Sequence, residues 1–120
     1  MRVRSTAHKI PTEHAEQSSF VAEFRLRWPA VLIFAIPNGG HRSKVTAALL
    51  KAEGVIKGVP DLCIPSRHLW IEMKRRAGGS LSPEQREVIE YLRACGDTVI
   101  VAKGADDAME QTRKIFAQNP

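Results

Sequence analysis

Gly58-Val59-Pro60-Asp61-Leu62-Cys63-Ile64, then Pro65-Ser66-Arg67-His68, then Leu69-Trp70-Ile71-Glu72-Met73-Lys74-Arg75-Arg76: the rest of the chain is organised around this stretch. Both arms are rich in apolar and β-branched residues, and a Pro-Ser break between two such arms reads as a hairpin. Only four residues separate the arms, whereas a parallel crossover needs a dozen or more, so the strands run antiparallel. Setting Ile64 against Leu69 carries the ladder back to Asp61 opposite Glu72. Lys74 lies two residues beyond Glu72 and projects from the same face.

Directly opposed side chains have Cβ atoms about 4.5–5.5 Å apart, and like charges there destabilise the pair. A hard divalent cation gives two carboxylates a reason to face each other, since Mg²⁺ is commonly held by one or two carboxylates plus water and phosphate oxygens. A lysine beside such an ion can orient or deprotonate a water, or neutralise charge on a phosphate. An ordinary hairpin with solvated Asp, Glu and Lys has the same spacing. Spacing alone leaves both readings standing.

Asp61 followed by Glu72-Met73-Lys74, with Pro60 before the aspartate, resembles the PD-(D/E)xK nuclease motif. Three strings in order sharpen the resemblance: Ala35-Ile36-Pro37-Asn38-Gly39-Gly40, Gly58-Val59-Pro60-Asp61-Leu62 and Ser80-Leu81-Ser82-Pro83-Glu84-Gln85. Together they resemble the VRR-NUC branch, especially its small stand-alone phage members, from about Thr12 nearly to the C-terminus.

One hundred and twenty residues suit one domain with its own core. Charged residues make up 26% and hydrophobic residues 43%, a normal balance for a soluble protein. No apolar run approaches the ~18 residues of a membrane span, and no signal-type segment opens the chain. Cys63 and Cys95 have neither metal-site nor disulfide-framework spacing, so both read as buried free thiols in a reducing compartment. The cytoplasm of a bacterial or phage-infected host cell is the expected location. A net charge of +5 favours a polyanionic partner.

Residues 1 to 11 carry Arg2, Arg4 and Lys9 with little apolar content, and read as a mobile basic arm before a single domain over 12–120. Thr12 caps a helix in which Glu13, Gln17, Phe20 and Phe24 recur at helical spacing. Glu16, one turn before Phe20, fits the periodicity as well. Trp28-Pro29 ends the helix, and Ala30 to Ile36 reads as a strand buried on both faces. Asn38, Gly39 and Gly40 follow, then His41, Arg42, Ser43 and Lys44; this loop either holds a phosphate by backbone amides and charge or is a tight turn with solvated cations. Thr46 to Glu53 is a short helix closed by Gly54. Ser82, Pro83 and Gln85 form a helix start with a capping box, and Gln85 shares a face with Val88, Ile89 and Leu92. A strand over Thr98 to Ala102 and a helix over Ala105 to Ala117, packing through Ala108, Ile115 and Phe116, complete a mixed α/β sheet with helices on its faces.

The resemblance implies the PD-(D/E)xK core order, which agrees with that element order. It also implies a metal-dependent DNA endonuclease with Mg²⁺ or Mn²⁺ on Asp61, Glu72 and the Met73 carbonyl, and with Lys74 acting on the attacking water. It selects Glu13 over Glu16 as the helix acid contacting a metal or its water, gives Gln85 a supporting place, and tilts Asn38, Gly39, Gly40, Arg42 and Lys44 toward DNA contact. Arg75 and Arg76 are either phosphate contacts or solvated. Branched substrates such as four-way (Holliday) junctions follow from the same likeness, and a homodimer from their two-fold symmetry. A non-catalytic DNA-binding module with this fold is the alternative.

Overall fold

The computed structural model describes residues 9–37 and 42–118. Most of the expected basic arm, and Asn38, Gly39, Gly40 and His41 of the expected phosphate loop, lie outside the described residues. The elements run α1 (Glu13–Arg27), β1 (Phe34–Ala35), α2 (Lys44–Ala52), β2 (Leu62–Ile64), a 3-10 turn (Pro65–Arg67), β3 (Leu69–Lys74), α3 (Pro83–Ala94), β4 (Thr98–Lys103) and α4 (Ala105–Gln118). That is the order expected from the sequence.

The hairpin has the expected register, with Leu62 opposite Ile71, Cys63 opposite Trp70 and Ile64 opposite Leu69. His68 closes the turn in the left-handed conformation (φ 48°), and its N–H donates to the Pro65 carbonyl at 3.1 Å. The sheet order is β1-β2-β3-β4, antiparallel except for the β3–β4 pair, which is parallel along the whole of β3. A strand paired on both edges and covered on both faces has no solvated side. In β3, Leu69, Ile71 and Met73 are fully buried toward one layer, while Glu72 (2% exposed) and Lys74 (7%) are buried toward the other.

Helices α1 and α4 cover the Leu69–Ile71–Met73 face. Phe20, Phe24, Met109 and Phe116 join Leu62 and Ile64 in the core. Phe24, Trp28 and Phe116 form an aromatic cluster with centroids 4.6–6.0 Å apart, and the Arg67 guanidinium lies 4.3 Å over the Phe116 ring. Such pairs each add about 0.5–1.5 kcal/mol to the area they bury. Helix α3 lies against the opposite face, where Trp70 meets Val88 and Leu92 in one groove.

Three expectations are corrected. The apolar run Ala30 to Ile36 is not a doubly buried strand: only Phe34–Ala35 is strand, both residues are exposed, and Ile33 alone of the run is buried. Pro29 and Pro37 bracket the run, and among the described residues it sits at the sheet edge with β2 as its one neighbour, so its hydrophobicity does not report burial. The helix expected from Thr46 begins at Lys44 behind the Ser43 cap, and none of its residues is buried. Cys95, expected to be buried, is an exposed C-cap residue of α3; Cys63 is buried as expected.

Candidate active site

The hairpin ladder ends with Leu62 opposite Ile71, and Asp61 is the next residue before it, close enough for its charge to act on Glu72. The Met73 N–H donates to Asp61 Oδ2 at 2.7 Å. In an extended strand the N–H and C=O of one residue leave the same edge, so the Met73 carbonyl also faces the Asp61 side. Glu72 Oε1 accepts a 2.6 Å hydrogen bond from Gln85 Nε2 and lies 3.7 Å from Lys74 Nζ. Lys74 Nζ donates to Gln85 Oε1 at 3.1 Å, and the Ser82 N–H donates to the same oxygen at 2.9 Å. The Ser82 hydroxyl accepts from the Gln85 N–H at 3.1 Å. The capping box expected from Ser82 and Gln85 therefore exists, and the same amide that completes it holds Glu72 and Lys74. A cleft of about 230 Å³ opens over this group, lined by Glu13, Lys57, Gly58, Asp61, Glu72 and Gln85 among others.

Burial, with the Asp61 charge opposite, pushes the Glu72 carboxyl from the ordinary value of 4.5 up to about 8; Lys74 acts in the other direction and Glu13 adds to the rise. Glu72 Oε2 is buried and accepts from no donor, and the Asp61 carboxyl is near enough to share a proton with Glu72, which adds to the rise. A buried oxygen left bare costs about 1–3 kcal/mol, more for a charged group. A proton or a cation relieves that cost.

These residues fit a divalent ion. Among the described residues no group of three or more His, Cys, Asp and Glu side chains forms a cage for a metal. A hard cation that keeps several waters does not need one: Asp61, Glu72 with its buried Oε2 and the Met73 carbonyl on the Asp61 side could supply its oxygen donors.

Glu13 and Glu16, which periodicity could not separate, have different surroundings. Glu13 is exposed and lines the cleft. Glu16, 2% exposed, occupies the buried stripe with Phe20 and Phe24. Its oxygens accept from Arg76 Nε (2.8 Å), Arg76 Nη2 (2.9 Å) and the Ala105 N–H (3.2 Å). This bidentate pair, with the start of α4, holds its carboxyl below the ordinary range despite burial. Gly104 leaves room for it: a Cβ there would meet Glu16 Oε2 at 2.9 Å. Glu16 thus ties α1, the end of β3 and α4 together. The signal was present in the Glu16–Phe20–Phe24 spacing, and its partner was not.

Arg75 donates to the Pro11 and Ile10 carbonyls at 3.3 and 3.1 Å, and Arg76 is engaged by Glu16, so both arginines brace the start of α1 and the end of β3. Arg42 donates to the Pro37 carbonyl at 2.9 Å, and Lys44 opens α2. Lys57, which the sequence did not single out, stands at the cleft.

Gly58 positions this wall. Its φ is +95°, and a Cβ there would lie 2.6 Å from the Glu84 carbonyl carbon and 2.9 Å from the Gln85 nitrogen. The chain before Asp61 thus lies directly on the first turn of α3. Gly58→Ala is expected to lower the melting temperature more than Gly54→Ala, whose φ of +102° is also left-handed but which has open space around it. The shared strain is on the order of 1–3 kcal/mol. Equal melting shifts in the two variants would show that the contact with α3 contributes nothing.

A mixed sheet between helical layers, with an acidic pair and a lysine at the meeting of β2, β3 and α3, has the architecture of an α/β nuclease core. The family model of the VRR-NUC domain matches residues 3–106, and the chain belongs to this family. It is a nuclease-type domain. A solved structure described as "VRR_NUC domain protein" superimposes with a TM-score of 0.74 at 27% identity, covering 91% of each chain. No curated protein matches the sequence.

Proposed function

We propose that the chain is a metal-dependent, structure-selective DNA endonuclease hydrolysing phosphodiester bonds of branched DNA such as four-way junctions. The observation that carries this reading is the bare, buried Glu72 Oε2 opposite Asp61, with Lys74 alongside. Asp61, Glu72 and the Met73 carbonyl would hold Mg²⁺ or Mn²⁺, with Glu13 reaching it or its water from the cleft wall. A bound divalent ion supplies Lewis-acid stabilisation of the phosphate and makes a bound water more acidic. The protein's own groups do the rest. Gln85 fixes Glu72 and Lys74 relative to each other. Lys74 Nζ orients the attacking water and offsets negative charge building on the phosphate oxygens. The non-catalytic alternative leaves the desolvation of Glu72 and Lys74 without a use.

A four-way junction is two-fold symmetric and each protomer carries one such cleft, so paired incision calls for a homodimer. No helix among the described residues is long and apolar enough to cross a membrane, and the expected setting is cytoplasmic.

Labelled linear, flapped and four-way DNA incubated with Mg²⁺, Mn²⁺ or EDTA tests the proposal. Incision should require the metal and be fastest on a branched substrate. Incision that persists in EDTA, or no incision of any structure with either metal, rejects it.

A further inference from the structure

The cleft alone is a poor place for a polyanion, since three carboxylates line it and only Lys57 among its lining residues is cationic. The positive charge lies next to it. Residues 42 to 57 hold Arg42, Lys44, Lys51 and Lys57 against the single carboxylate of Glu53. Helix α2 has no buried residue, and among the described residues no other helix or strand packs closely on it. Between α2 and the segment that follows it runs a groove of about 700 Å³, lined by Arg42, Lys51 and Lys57 with Ala47, Leu50 and Val55 between them. Lys57 borders both this groove and the cleft. Its side chain is 82% exposed, with Glu84 Oε1 at 3.8 Å, a distance at which an exposed pair contributes little. The closeness of Gly58 to the first turn of α3 sets where Lys57 stands.

We propose that the groove beneath α2 is a nucleic-acid track. Lys57 at the cleft mouth and Lys51 farther out hold the phosphate backbone of the strand as it leaves the cleft. This rests on the nuclease reading above and extends it to how the substrate is held. Charge complementarity and continuity with the cleft identify the occupant. Exposed lysines bordering a groove take phosphates in any sequence, so the track adds affinity and orientation without base recognition. Cations beside an acidic cleft also offset the repulsion that an incoming phosphate meets there. The competing occupant is a second copy of this chain, seated on the outer face of α2 where Val45 and Leu49 are exposed.

The test uses the full chain, a labelled four-way junction, EDTA to prevent turnover, and affinity measured across a range of salt concentrations. Lys51→Gln, Lys57→Gln and the double variant are compared with Lys114→Gln, an exposed lysine on α4 beside Glu110. Each single variant should bind more weakly and reduce the slope of log K against log salt by about 0.9, and the double variant by about 1.8. Lys57→Arg should restore the slope, and under turnover the loss should fall on KM rather than kcat. The track is overturned if Lys51→Gln and Lys57→Gln bind as Lys114→Gln does, including the case where they alter only the mass of the free protein by light scattering. A wild type that binds the junction but never cuts it sinks the catalytic reading and leaves the track standing. A wild type that cuts, with unaffected variants, sinks the track alone, and one that binds no nucleic acid overturns both.

Discussion

Lys74→Met should lower the rate of DNA cleavage roughly 10²–10⁴-fold, the range spanned by a positioned proton-transfer group, while leaving DNA affinity nearly unchanged. Methionine approximates the lysine stem, so the buried position on β3 keeps its packing and loses its amine. That amine lies 3.7 Å from Glu72 Oε1 and donates to Gln85 Oε1, which places its charge at the acidic pair and away from the exposed surface. Affinity for a polyanion is spread over many phosphate contacts, so one buried lysine contributes little of it. Single-turnover cleavage and direct binding, measured on one preparation with a melting curve to confirm folding, separate the two quantities. A loss of binding as steep as the loss of cleavage would make Lys74 a phosphate anchor instead.

Glu72→Gln should abolish the response of the protein to divalent metal and remove most of the pH dependence of its metal-free stability. The native Glu72 carboxyl titrates at about 8, against an ordinary 4.5. Between those values the native state keeps a proton that the unfolded state has lost, so stability falls as pH rises across the window and levels off above about 8. Each unit of displacement corresponds to about 1.4 kcal/mol, so the full window spans a few kcal/mol. Glu16 acts elsewhere. Its lowered carboxyl contributes stability that is present above about 4.5 and lost as pH falls through its native value. A metal held by Glu72 would have to displace its proton, so metal affinity should weaken about tenfold per pH unit below 8. Thermal melts from pH 5 to 9, with and without Mn²⁺, read all of this. A flat metal-free profile in the wild type, or an undiminished metal shift in Glu72→Gln, would detach Glu72 from the metal site.

The hairpin register was legible because a four-residue break and a two-residue side-chain period leave little freedom: slipping the strands by one would turn Leu69, Ile71 and Met73 out of the core. The caps at Thr12 and Ser82 were legible for a similarly local reason. The Gln85 contacts followed from its helix face, although which atoms it would bridge did not. Less accessible were features set by the neighbours a segment lacks. The run Ala30 to Ile36 is apolar enough for a central strand, yet it lies at the edge. Helix α2 has a regular pattern, yet nothing among the described residues buries it. Glu16 could be placed on the buried stripe, but Arg76, sixty residues away in the chain, could not be assigned to it.

Gln85 gives the chain an unusual evolutionary constraint. One amide side chain completes the start of α3 through Ser82 and couples the acid and the amine of the cleft through two further hydrogen bonds, so the helix start and the cleft share one residue. A lineage released from selection for cleavage would still be held at this position to glutamine or glutamate, the two side chains that complete a capping box. A lineage that replaced the cap with another stable helix start would lose the alignment of Glu72 and Lys74 in the same step. Glutamate could keep the helix start, but it would set a carboxylate against Glu72 where the amide now donates.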